Sequence, residues 1–514
     1  MKSFPGGYPV GTVDVAFSTI ANLRTLAAVI PEQHIVGRLF YPCQALGPHS
    51  KGPKSTWMPS YEYAQGFTEF MFQRKTGYLA AVAKAIVKRM AWWVGKIALP
   101  LNVGAPMATS EAKFPIVILS HGMSGTRTVS SLICGSLASQ GIAVFAVEHT
   151  DGTAATTALA SSNDPKPCFQ YYSGWRTTDE RDHQIAHRMA ENRTALRVVQ
   201  HLAHGSHLEG LRVTGGLDPA TAFTGIDAEC VGLVGHSFGA LTVAAQVAED
   251  ADFACAVAWD PWWGQIPPES PARTAWQTDS PLLILGSHAW NVPDDKGRIY
   301  CDGKGQSLVM HSSTLREGQE PGSGPGSVLA VIHGSSHDTA VDVRALFNSK
   351  IGWLLKRLVP RKETTGGPDL APDLGIKLTA DSTHAFLLRH LPTTPQQQQM
   401  LQTAMHRPTD QSTERVGKRQ ADPSHSIQIS AEPSSSATEK KQQDLSGEGV
   451  SSGTPGLIAS AQTAGKDNRQ APSRVGQADR SELERILTGR IFKLELAHEI
   501  EASGSSLSGA TTSG

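Results

Sequence analysis

The segment GHSFG (235–239) follows the pattern G-x-S-x-G, which places a nucleophilic serine on a sharp turn between a strand and a helix. Residues 231–235 form an apolar, strand-like run, and residues 240–250 have the composition of a helix, so the context suits the pattern. The glycines leave room where the helix backbone passes close to the strand. An ordinary glycine-rich turn is the alternative, and the flanking elements favour Ser237 as a nucleophile.

A serine hydroxyl is a weak nucleophile at neutral pH and needs a base beside it. In folds with this turn, the chain order is serine, acid and histidine, and the acid and histidine each follow a strand. Asp260 directly follows the apolar run 253–259, and His337 follows the run 327–333 and precedes a helix-like segment. We therefore predict a triad in which His337 takes the proton of Ser237 and Asp260 fixes the imidazole tautomer.

Other acidic residues and histidines fit the two partner positions less well. Two aspartates lie in the turn before the run 253–259, where a solvated helix end is the simpler interpretation. One histidine lies in or at the end of a strand, and two others do not stand between a strand end and a helix. These residues are, in that order, Asp250, Asp252, His333, His288 and His311.

Two backbone N–H groups are candidates for stabilising the oxyanion of an acyl-transfer reaction. The first is the amide of Phe238, directly after the nucleophile. The second is the amide of Met123, in the loop HGMSG (121–125) that follows the strand-like run 114–120. We expect the two glycines of this loop to let the backbone turn its amides inward. Losing one such donor typically lowers the rate by about two to three orders of magnitude.

Strand-like runs alternate with helix-like segments along most of the chain. Continuous apolar runs are typical of strands buried on both faces, and alternation with helices indicates a mostly parallel sheet. We therefore predict the α/β-hydrolase fold, an α/β class with a mostly parallel central sheet and helices on both faces, plus a disordered C-terminal tail. The strand-like runs are 114–120, 142–149, 231–235, 253–259, 281–286 and 327–333.

Several segments resemble, in the same order, those of the platelet-activating factor acetylhydrolases, in both the plasma lipoprotein-associated and the intracellular form. The resemblance covers roughly residues 35–391, and the combined segments are far more specific than the serine pattern alone. The matching segments are RLFYPC (38–43), WMPSYEY (57–63), LSHGMSGTRT (119–128), SLASQGIAVFAVEHTD (136–151), RDHQIAHRMAE (181–191), GHSFGA (235–240), WDPWW (259–263) and GSSH (334–337).

This resemblance implies a calcium-independent hydrolase, without cofactor or metal, that releases acetyl or short or oxidised acyl chains from the sn-2 position of phospholipids. It assigns the triad to Ser237, Asp260 and His337, and the oxyanion donors to Phe238 and Met123. Both assignments agree with the interpretation of the residues themselves.

Substrate-binding residues are expected around the triad. Trp262 falls where the family has a tryptophan near the acyl pocket, and His236 and Gly122 are further candidates beside the nucleophile. Trp259 and Pro261, which flank the predicted acid, are bulkier or stiffer than the family's usual neighbours and bear on the choice of acyl chain.

Two other functions remain open for this fold. The first is a general lipase, a cutinase-like enzyme or a polyester hydrolase, which turnover of a triglyceride against a short-acyl phospholipid would distinguish. The second is a non-catalytic binding protein, whose sign would be the loss of a triad residue, and no triad residue is lost.

Charge and cysteine content limit the partners and the compartment. The chain has 46 basic and 47 acidic residues and a formal net charge of −1, so no nucleic-acid partner is expected. Its 6 cysteines are scattered without a CxxC pair, which suits free thiols in a reducing compartment. The N-terminus has no apolar region of signal-peptide length, and Lys2 stands where N-myristoylation needs glycine. We expect a cytoplasmic protein without a transmembrane helix.

A peripheral contact with lipid is expected from residues 78–97. This segment is apolar with interspersed basic residues, and it ends near the pair Trp92 and Trp93. Basic residues beside an aromatic-rich apolar face are typical of interfacial helices. A helix that packs on the core and solvates its lysines is the alternative. The oligomeric state is not indicated.

The composition predicts five regions. We expect an N-terminal extension over 1–34, a catalytic domain over 35–392 and a disordered, aromatic-free segment over 393–480. A capping box and helical spacing of apolar residues predict a helix over 481–502. Residues 503–514 are expected to form a disordered terminus.

Overall fold

One large sheet carries the apolar runs of the sequence at its centre in the computed structural model. The structure describes residues 3–20, 31–45, 53–73, 75–160, 166–174, 177, 180–265, 270, 272, 278–290, 327–332, 334–347, 370–391, 394–405 and 491–493. In chain order, the strands are β1 Val10–Ser18, β2 His34–Pro42, β3 Lys54–Thr56, β4 Ala98–Val103, β5 Phe114–Ser120, β6 Ala143–Glu148, β7 Thr156–Leu159, β8 Cys168–Tyr171, β9 Leu211–Val213, β10 Ile226–His236, β11 Phe253–Trp259, β12 Leu282–Ser287, β13 Ser327–Ile332 and β14 Ile491–Lys493.

The strand order defines the topology. Within the described residues, the main sheet runs β14-β13-β12-β11-β10-β5-β6-β2-β1-β4-β3, and β9 pairs with β1. The six strands from β13 to β6 are all parallel, whereas β2 and β14 join them antiparallel on either side. β7 and β8 form a separate antiparallel pair. All six predicted strand-like runs lie in the parallel centre, which gives the α/β-hydrolase fold.

Helices cover both faces of the sheet. The helices are α1 Tyr61–Phe72, α2 Tyr78–Gly95, α3 Ser131–Ser139, α4 Glu180–His204, α5 Phe238–Glu249, α6 Val343–Phe347, α7 Pro372–His390 and α8 Pro395–Met405. Side chains of α4 and α5 fill one apolar core, and side chains of α3 and α7 fill a second one. The crossover helices follow from the parallel strands, because consecutive parallel strands need a connection across a face.

The first 34 residues are not an extension to the catalytic domain. β1 lies inside the sheet and pairs with β2 over the register Val10–Pro42 to Ser18–His34. Its burial is nearly continuous, since Val13 and Val15 are 1% and 0% exposed. The prediction of an extension was wrong because the chain before residue 35 supplies a buried strand that pairs with β2 along its whole length.

Two parts of the chain beyond residue 392 have a secondary structure other than the predicted one. The glutamine-rich segment forms α8 rather than disordered chain, and its Leu401 is fully buried. Residues Ile491–Lys493 form β14 at the edge of the sheet rather than part of a helix. The remainder of 406–514 lies outside the described residues. The chain divides into one unit of 1–408 with 479–514 and another of 409–478, and all described residues belong to the first.

Candidate active site

Ser237 lies at the turn between β10 and α5 in a strained backbone conformation. Its φ and ψ are 57° and −115°, a region that L-residues rarely occupy. Such strain costs on the order of 1–3 kcal/mol and persists only where the surroundings enforce it. Here the enforcing contact is the close passage of helix and strand: a Cβ on Gly235 would lie 2.3 Å from the Gly239 carbonyl oxygen. The sequence predicts glycine at positions 235 and 239, and the structure gives the reason: a side chain at either position would clash with the neighbouring backbone.

The other two predicted triad residues lie beside Ser237. The His337 Nε2 is 2.9 Å from the Ser237 Oγ, and the His337 Nδ1 is 2.8 Å from the Asp260 Oδ2. Asp260 directly follows β11 and has a φ of 50°, which an aspartate tolerates better than most residues. His337 begins a short 3₁₀ turn, His337–Ala340, whose Ser336 and Thr339 form a capping box. A proton can therefore pass from the serine to an imidazole already oriented by a carboxylate.

Hydrogen bonds keep the Asp260 carboxylate ionised although it is buried. Burial alone would raise the pKa of Asp260, but the bond with His337 and two bonds from Ser287 lower it below its usual value. The Ser287 amide donates to Asp260 Oδ1 at 2.8 Å, and the Ser287 hydroxyl donates to Oδ2 at 2.7 Å. The carboxylate is thus positioned to stabilise a positively charged imidazole.

The loop HGMSG places the Met123 amide close to the nucleophile. A Cβ on Gly122 would lie 2.9 Å from the Ser237 Cβ, so the loop can approach the serine only with glycine at this position. The residue of this loop with a left-handed backbone is Ser124, with a φ of 58°. Ser124 donates its N–H to the Thr153 carbonyl oxygen at 2.7 Å, which fixes the turn.

The two predicted oxyanion donors keep their N–H groups available. Phe238 is the first residue of α5, where a helix offers no partner to the backbone N–H. Within the described part of the chain, the Met123 N–H has no hydrogen-bond partner either. Both amides belong to segments that contact Ser237, so the geometry suits an oxyanion hole.

Two residues of the site were not predicted from the sequence. Ser287 ends β12 and holds Asp260, and Trp290 stacks on His337 with ring centroids 3.6 Å apart and planes 9° apart. The end of the apolar run 281–286 was a signal for the position of Ser287, because the ends of parallel strands meet at one edge of the sheet. No sequence signal pointed to Trp290.

The three substrate-binding candidates occupy different positions. Trp262 is half-buried beside the nucleophile, and its backbone N–H donates to the Ser237 carbonyl oxygen at 3.2 Å. The centroid of its ring lies 6.3 Å from that of Trp290. Gly122 faces the serine. His236 is buried and its Nε2 lies 3.0 Å from the His337 carbonyl oxygen, so its observed contact supports the base. Burial, followed by the nearby His337, lowers the pKa of His236 to about 3 and keeps it neutral.

A second serine–histidine–carboxylate group lies below the oxyanion loop. The His149 Nε2 is 2.7 Å from the Ser120 Oγ, and the His149 Nδ1 is 2.6 Å from the Glu191 Oε2. All three side chains are fully buried, and Ser120 ends a regular strand without positive φ. Distances alone would not separate the two groups, whereas the partly exposed side chain of His337 and the strained backbone of Ser237 favour the first group.

The competing candidates have other contacts. Asp250 pairs with Arg193 at 2.7 Å beyond the end of α5, and the His288 Nδ1 accepts the Gly334 N–H at 3.0 Å. His333 and His311 lie outside the described residues. Among the residues that the structure describes, no cluster of His, Cys, Asp and Glu side chains is arranged to hold a metal ion.

Comparison with known proteins places the chain in a family. The family described as platelet-activating factor acetylhydrolase, isoform II, matches residues 2–406. A platelet-activating factor acetylhydrolase of Canis lupus familiaris is 25% identical over 397 residues, 75% of this chain and 76% of that protein. The Bos taurus protein of the same name is 27% identical over 394 residues, with coverages of 75% and 76%.

More distant proteins also match. A putative phospholipase A2 of Schizosaccharomyces pombe is 25% identical over 269 residues, 48% of this chain and 58% of that protein. A solved ferulic acid esterase from Streptomyces cinnamoneus has a TM-score of 0.47 and 17% identity, covering 78% of this chain and 94% of the esterase. Because the family match spans most of the sequence, the chain belongs to the platelet-activating factor acetylhydrolase family.

Proposed function

We propose that this protein is a serine esterase that hydrolyses the sn-2 acetyl, short or oxidised acyl ester of phospholipids resembling platelet-activating factor. One observation carries the proposal: Ser237 Oγ, His337 and Asp260 are joined at 2.9 and 2.8 Å on a strained strand-to-helix turn. Family membership supports the substrate class, because the mammalian relatives bear the name platelet-activating factor acetylhydrolase.

The reaction proceeds through an acyl-enzyme on Ser237. His337 Nε2 takes the hydroxyl proton as the Ser237 Oγ attacks the ester carbonyl carbon, and Asp260 stabilises the charged imidazole. The carbonyl oxygen becomes an oxyanion that accepts hydrogen bonds from the Met123 and Phe238 amides. The carbon–oxygen bond to the leaving alcohol then breaks, and His337 returns the proton to that alkoxide. A water molecule then attacks the acyl-enzyme in the same way, with His337 taking its proton and returning it to the Ser237 Oγ. The carboxylic acid is released and the serine is restored.

Aromatic side chains beside the triad suit the acyl chain. Trp262 is positioned beside Ser237 and within 6.3 Å of Trp290, which itself covers one face of His337. Two large aromatic side chains near the nucleophile provide an apolar surface on which a short acyl group binds in place of water. We assign Trp262 and Gly122 to substrate binding, and we retain His236 as a candidate whose contact is with the base.

The exposed face of α2 suits contact with a lipid surface. Leu79, Ile86 and Trp93 recur every seven residues along the helix and are 82%, 55% and 60% exposed. Basic side chains flank this stripe, and Arg89 lies over the Trp93 ring. Apolar and aromatic residues bordered by basic ones are typical of helices that rest in the headgroup layer. We propose that α2 is the lipid contact of the enzyme.

A chain of side-chain contacts joins this helical pair to the oxyanion loop. α1 packs on α2, and Phe70 of α1 meets the Tyr172 ring edge to face at 5.0 Å between centroids. The Tyr172 hydroxyl lies 3.6 Å from the Met123 Sδ. The helical pair therefore lies next to the loop that carries Met123.

We propose a cytoplasmic location with reversible attachment to membranes. Within the described residues, no helix has the length and apolar character to cross a bilayer. Five cysteines of that part of the chain are free thiols, Cys43, Cys134, Cys168, Cys230 and Cys255, which suits a reducing compartment.

Labelling with a fluorophosphonate probe, followed by a lipid panel, tests the function. We expect Ser237 to carry the label and short-acyl phosphatidylcholines to be cleaved faster than long-acyl ones. Preferential cleavage of triglycerides would instead assign a general lipase. A folded protein that neither labels nor hydrolyses any ester would exclude both.

A further inference from the structure

Arg188 has no role in the proposed reaction steps, yet it lies directly below the oxyanion hole. It belongs to the segment RDHQIAHRMAE (181–191) on α4, and its side chain is fully buried. A buried arginine is costly unless its hydrogen bonds are satisfied. Its hydrogen bonds and its ring contact go to segments around the site, which makes Arg188 a candidate for organising them.

The guanidinium fixes the residues on both sides of the Met123 amide. Arg188 Nη1 donates to the His121 carbonyl oxygen at 2.6 Å, two residues before Met123. Its Nη2 donates to the Thr153 hydroxyl, and the Thr153 carbonyl oxygen accepts the Ser124 N–H at 2.7 Å. The loop is thus held two residues before Met123 and, through Thr153, at the residue directly after it.

The same guanidinium also contacts the other oxyanion donor. Its carbon lies 4.8 Å from the centre of the Phe238 ring, a distance suited to a cation–π contact. The Arg188 Nε donates to Asp151 Oδ2 at 2.7 Å, and Asp151 Oδ1 accepts the Thr153 N–H and hydroxyl. One buried side chain therefore touches the two segments that carry the oxyanion donors and the Asp151–Thr153 turn that is bonded to the first of them.

We infer that Arg188 is a positioning residue that sets the distance between the Met123 and Phe238 amides and so fixes the oxyanion hole. The inference rests on the proposed function, and Arg188 acts through these two residues rather than on the substrate. A lysine could supply the charge but not the planar fork that donates in three directions. The charged and titratable groups that interact with Arg188 are Asp151, His121, His149, His187 and Arg181.

Steady-state hydrolysis of p-nitrophenyl acetate by the full chain tests this inference. We expect Arg188→Met and Arg188→Lys to lower kcat by about 100-fold while KM changes by less than about threefold, because a misplaced donor weakens only the transition state. The pH midpoint of kcat/KM should stay unchanged, since His337 and Asp260 do not contact Arg188. Arg193→Met is the matched control on the same helix, with 47% of its side chain exposed, and should stay within about twofold of the wild type.

Inhibitor binding separates positioning from loss of structure. A trifluoromethyl ketone forms a tetrahedral adduct with the serine, so its Ki should rise in parallel with the fall in kcat/KM. A non-hydrolysable ether analogue of a short-acyl phospholipid forms no adduct and should bind the variants as it binds the wild type. Equal weakening of both inhibitors, or a normal kcat per titrated site with fewer active sites, would overturn the inference.

Thr153→Val provides a milder variant if both Arg188 variants fail to fold. It removes the hydroxyl that joins Arg188 to the far side of the loop, and we expect a loss of about tenfold in kcat with the same split between the two inhibitors. An unchanged kcat in a folded Thr153→Val or Arg188→Met protein would refute the role of Arg188 alone. Absence of turnover and of Ser237 labelling in the wild type would instead refute the proposed function itself.

Discussion

Strained backbone marks the site at the scale of single residues. Within the described residues, Ser124, Ser237 and Asp260 have a positive φ without being glycine, and they lie in the proposed oxyanion loop, at the proposed nucleophile and at the proposed acid. Positive φ in such residues usually persists where function requires it. The chemistry of the site was predictable from residue types and strand ends. The strain was not predictable, because it arises from packing between segments far apart in the chain.

Ser237→Ala is expected to abolish ester hydrolysis and fluorophosphonate labelling without unfolding the protein. The hydroxyl is the only group removed, and the turn is held by contacts of Gly235 and Gly239 that the substitution leaves in place. Turnover, labelling and thermal unfolding measured on the same preparation check this. Labelling that persists in the variant would show that the nucleophile is another residue.

Ser287→Ala is expected to lower kcat/KM by about tenfold, since the hydroxyl makes a 2.7 Å bond to the ionised Asp260. Bonds to a charged group typically contribute about 1.5–3 kcal/mol, and about 1.4 kcal/mol corresponds to a factor of ten. Ser280→Ala, just before the same strand, is the control and should leave kcat/KM unchanged. Equal activity of the two variants would mean that the Ser287 amide alone holds the carboxylate.

At the scale of elements, sequence periodicity predicted the helix that became α2 but not the orientation of its two tryptophans. Trp93 is 60% exposed, whereas Trp92 is half-buried and meets Tyr61 of α1 edge to face at 5.7 Å. Neighbouring residues on a helix point about 100° apart, so both cannot face the same side. Which one faces outward depends on where α1 packs, and the sequence of α2 alone does not contain that information.

Trp93→Ala is therefore expected to weaken binding to anionic vesicles and turnover of vesicle-borne phospholipid. Hydrolysis of a water-soluble ester should stay nearly unchanged, because the side chain contributes to lipid contact rather than to the core. Trp92→Ala should instead lower the melting temperature and affect both substrates, since it leaves a cavity beside α1. Vesicle sedimentation and two-substrate kinetics distinguish these outcomes. Unaltered vesicle binding by a folded Trp93→Ala protein would exclude α2 as the lipid contact.

At the scale of the whole molecule, the stability of the fold is expected to fall as the pH is lowered from 7 to 5. Burial lowers the pKa of His384 to about 4, so the unfolded chain binds a proton there below pH 6.5 while the folded protein does not. Stability is thus full above pH 6.5 and is lost as the pH falls towards 4, by about 2 kcal/mol from this residue at pH 5.

His384→Gln provides the measurement for this pH dependence. The variant cannot take up a proton at that position, so the dependence of the unfolding free energy on pH between 7 and 5 should become shallower by up to about one proton. Parallel denaturant titrations of the wild type and the variant check this. Equal slopes for the two proteins would show that His384 is not protonated on unfolding.

The limits of the catalytic domain were the least predictable feature, because α8 is rich in glutamine and lacks aromatic residues. Its contribution appears only in tertiary contacts: Leu401 is fully buried, and the Gln397 Nε2 donates to the Lys113 carbonyl oxygen at 2.9 Å and to Asp227 Oδ2 at 2.7 Å. The Ala404 carbonyl oxygen accepts the Gly7 N–H at 2.8 Å, so α8 also holds the start of the chain. Composition reports the average character of a segment and misses a few well-placed contacts.

Two truncations separate the contribution of α8 from that of the chain beyond it. Ending the chain after residue 394 removes buried Leu401 and the Gln397 bonds, and large losses of core side chains typically cost about 2–5 kcal/mol each. We therefore expect a melting temperature several degrees lower and a reduced yield of folded protein. Ending it after residue 408 keeps α8 and removes the three-residue edge strand β14, which pairs with β13 at three positions and is separated from β10 by three strands. That protein should hydrolyse a water-soluble ester at nearly the wild-type rate, and equal losses in both truncated proteins would show that the segment beyond 408 supports the catalytic fold.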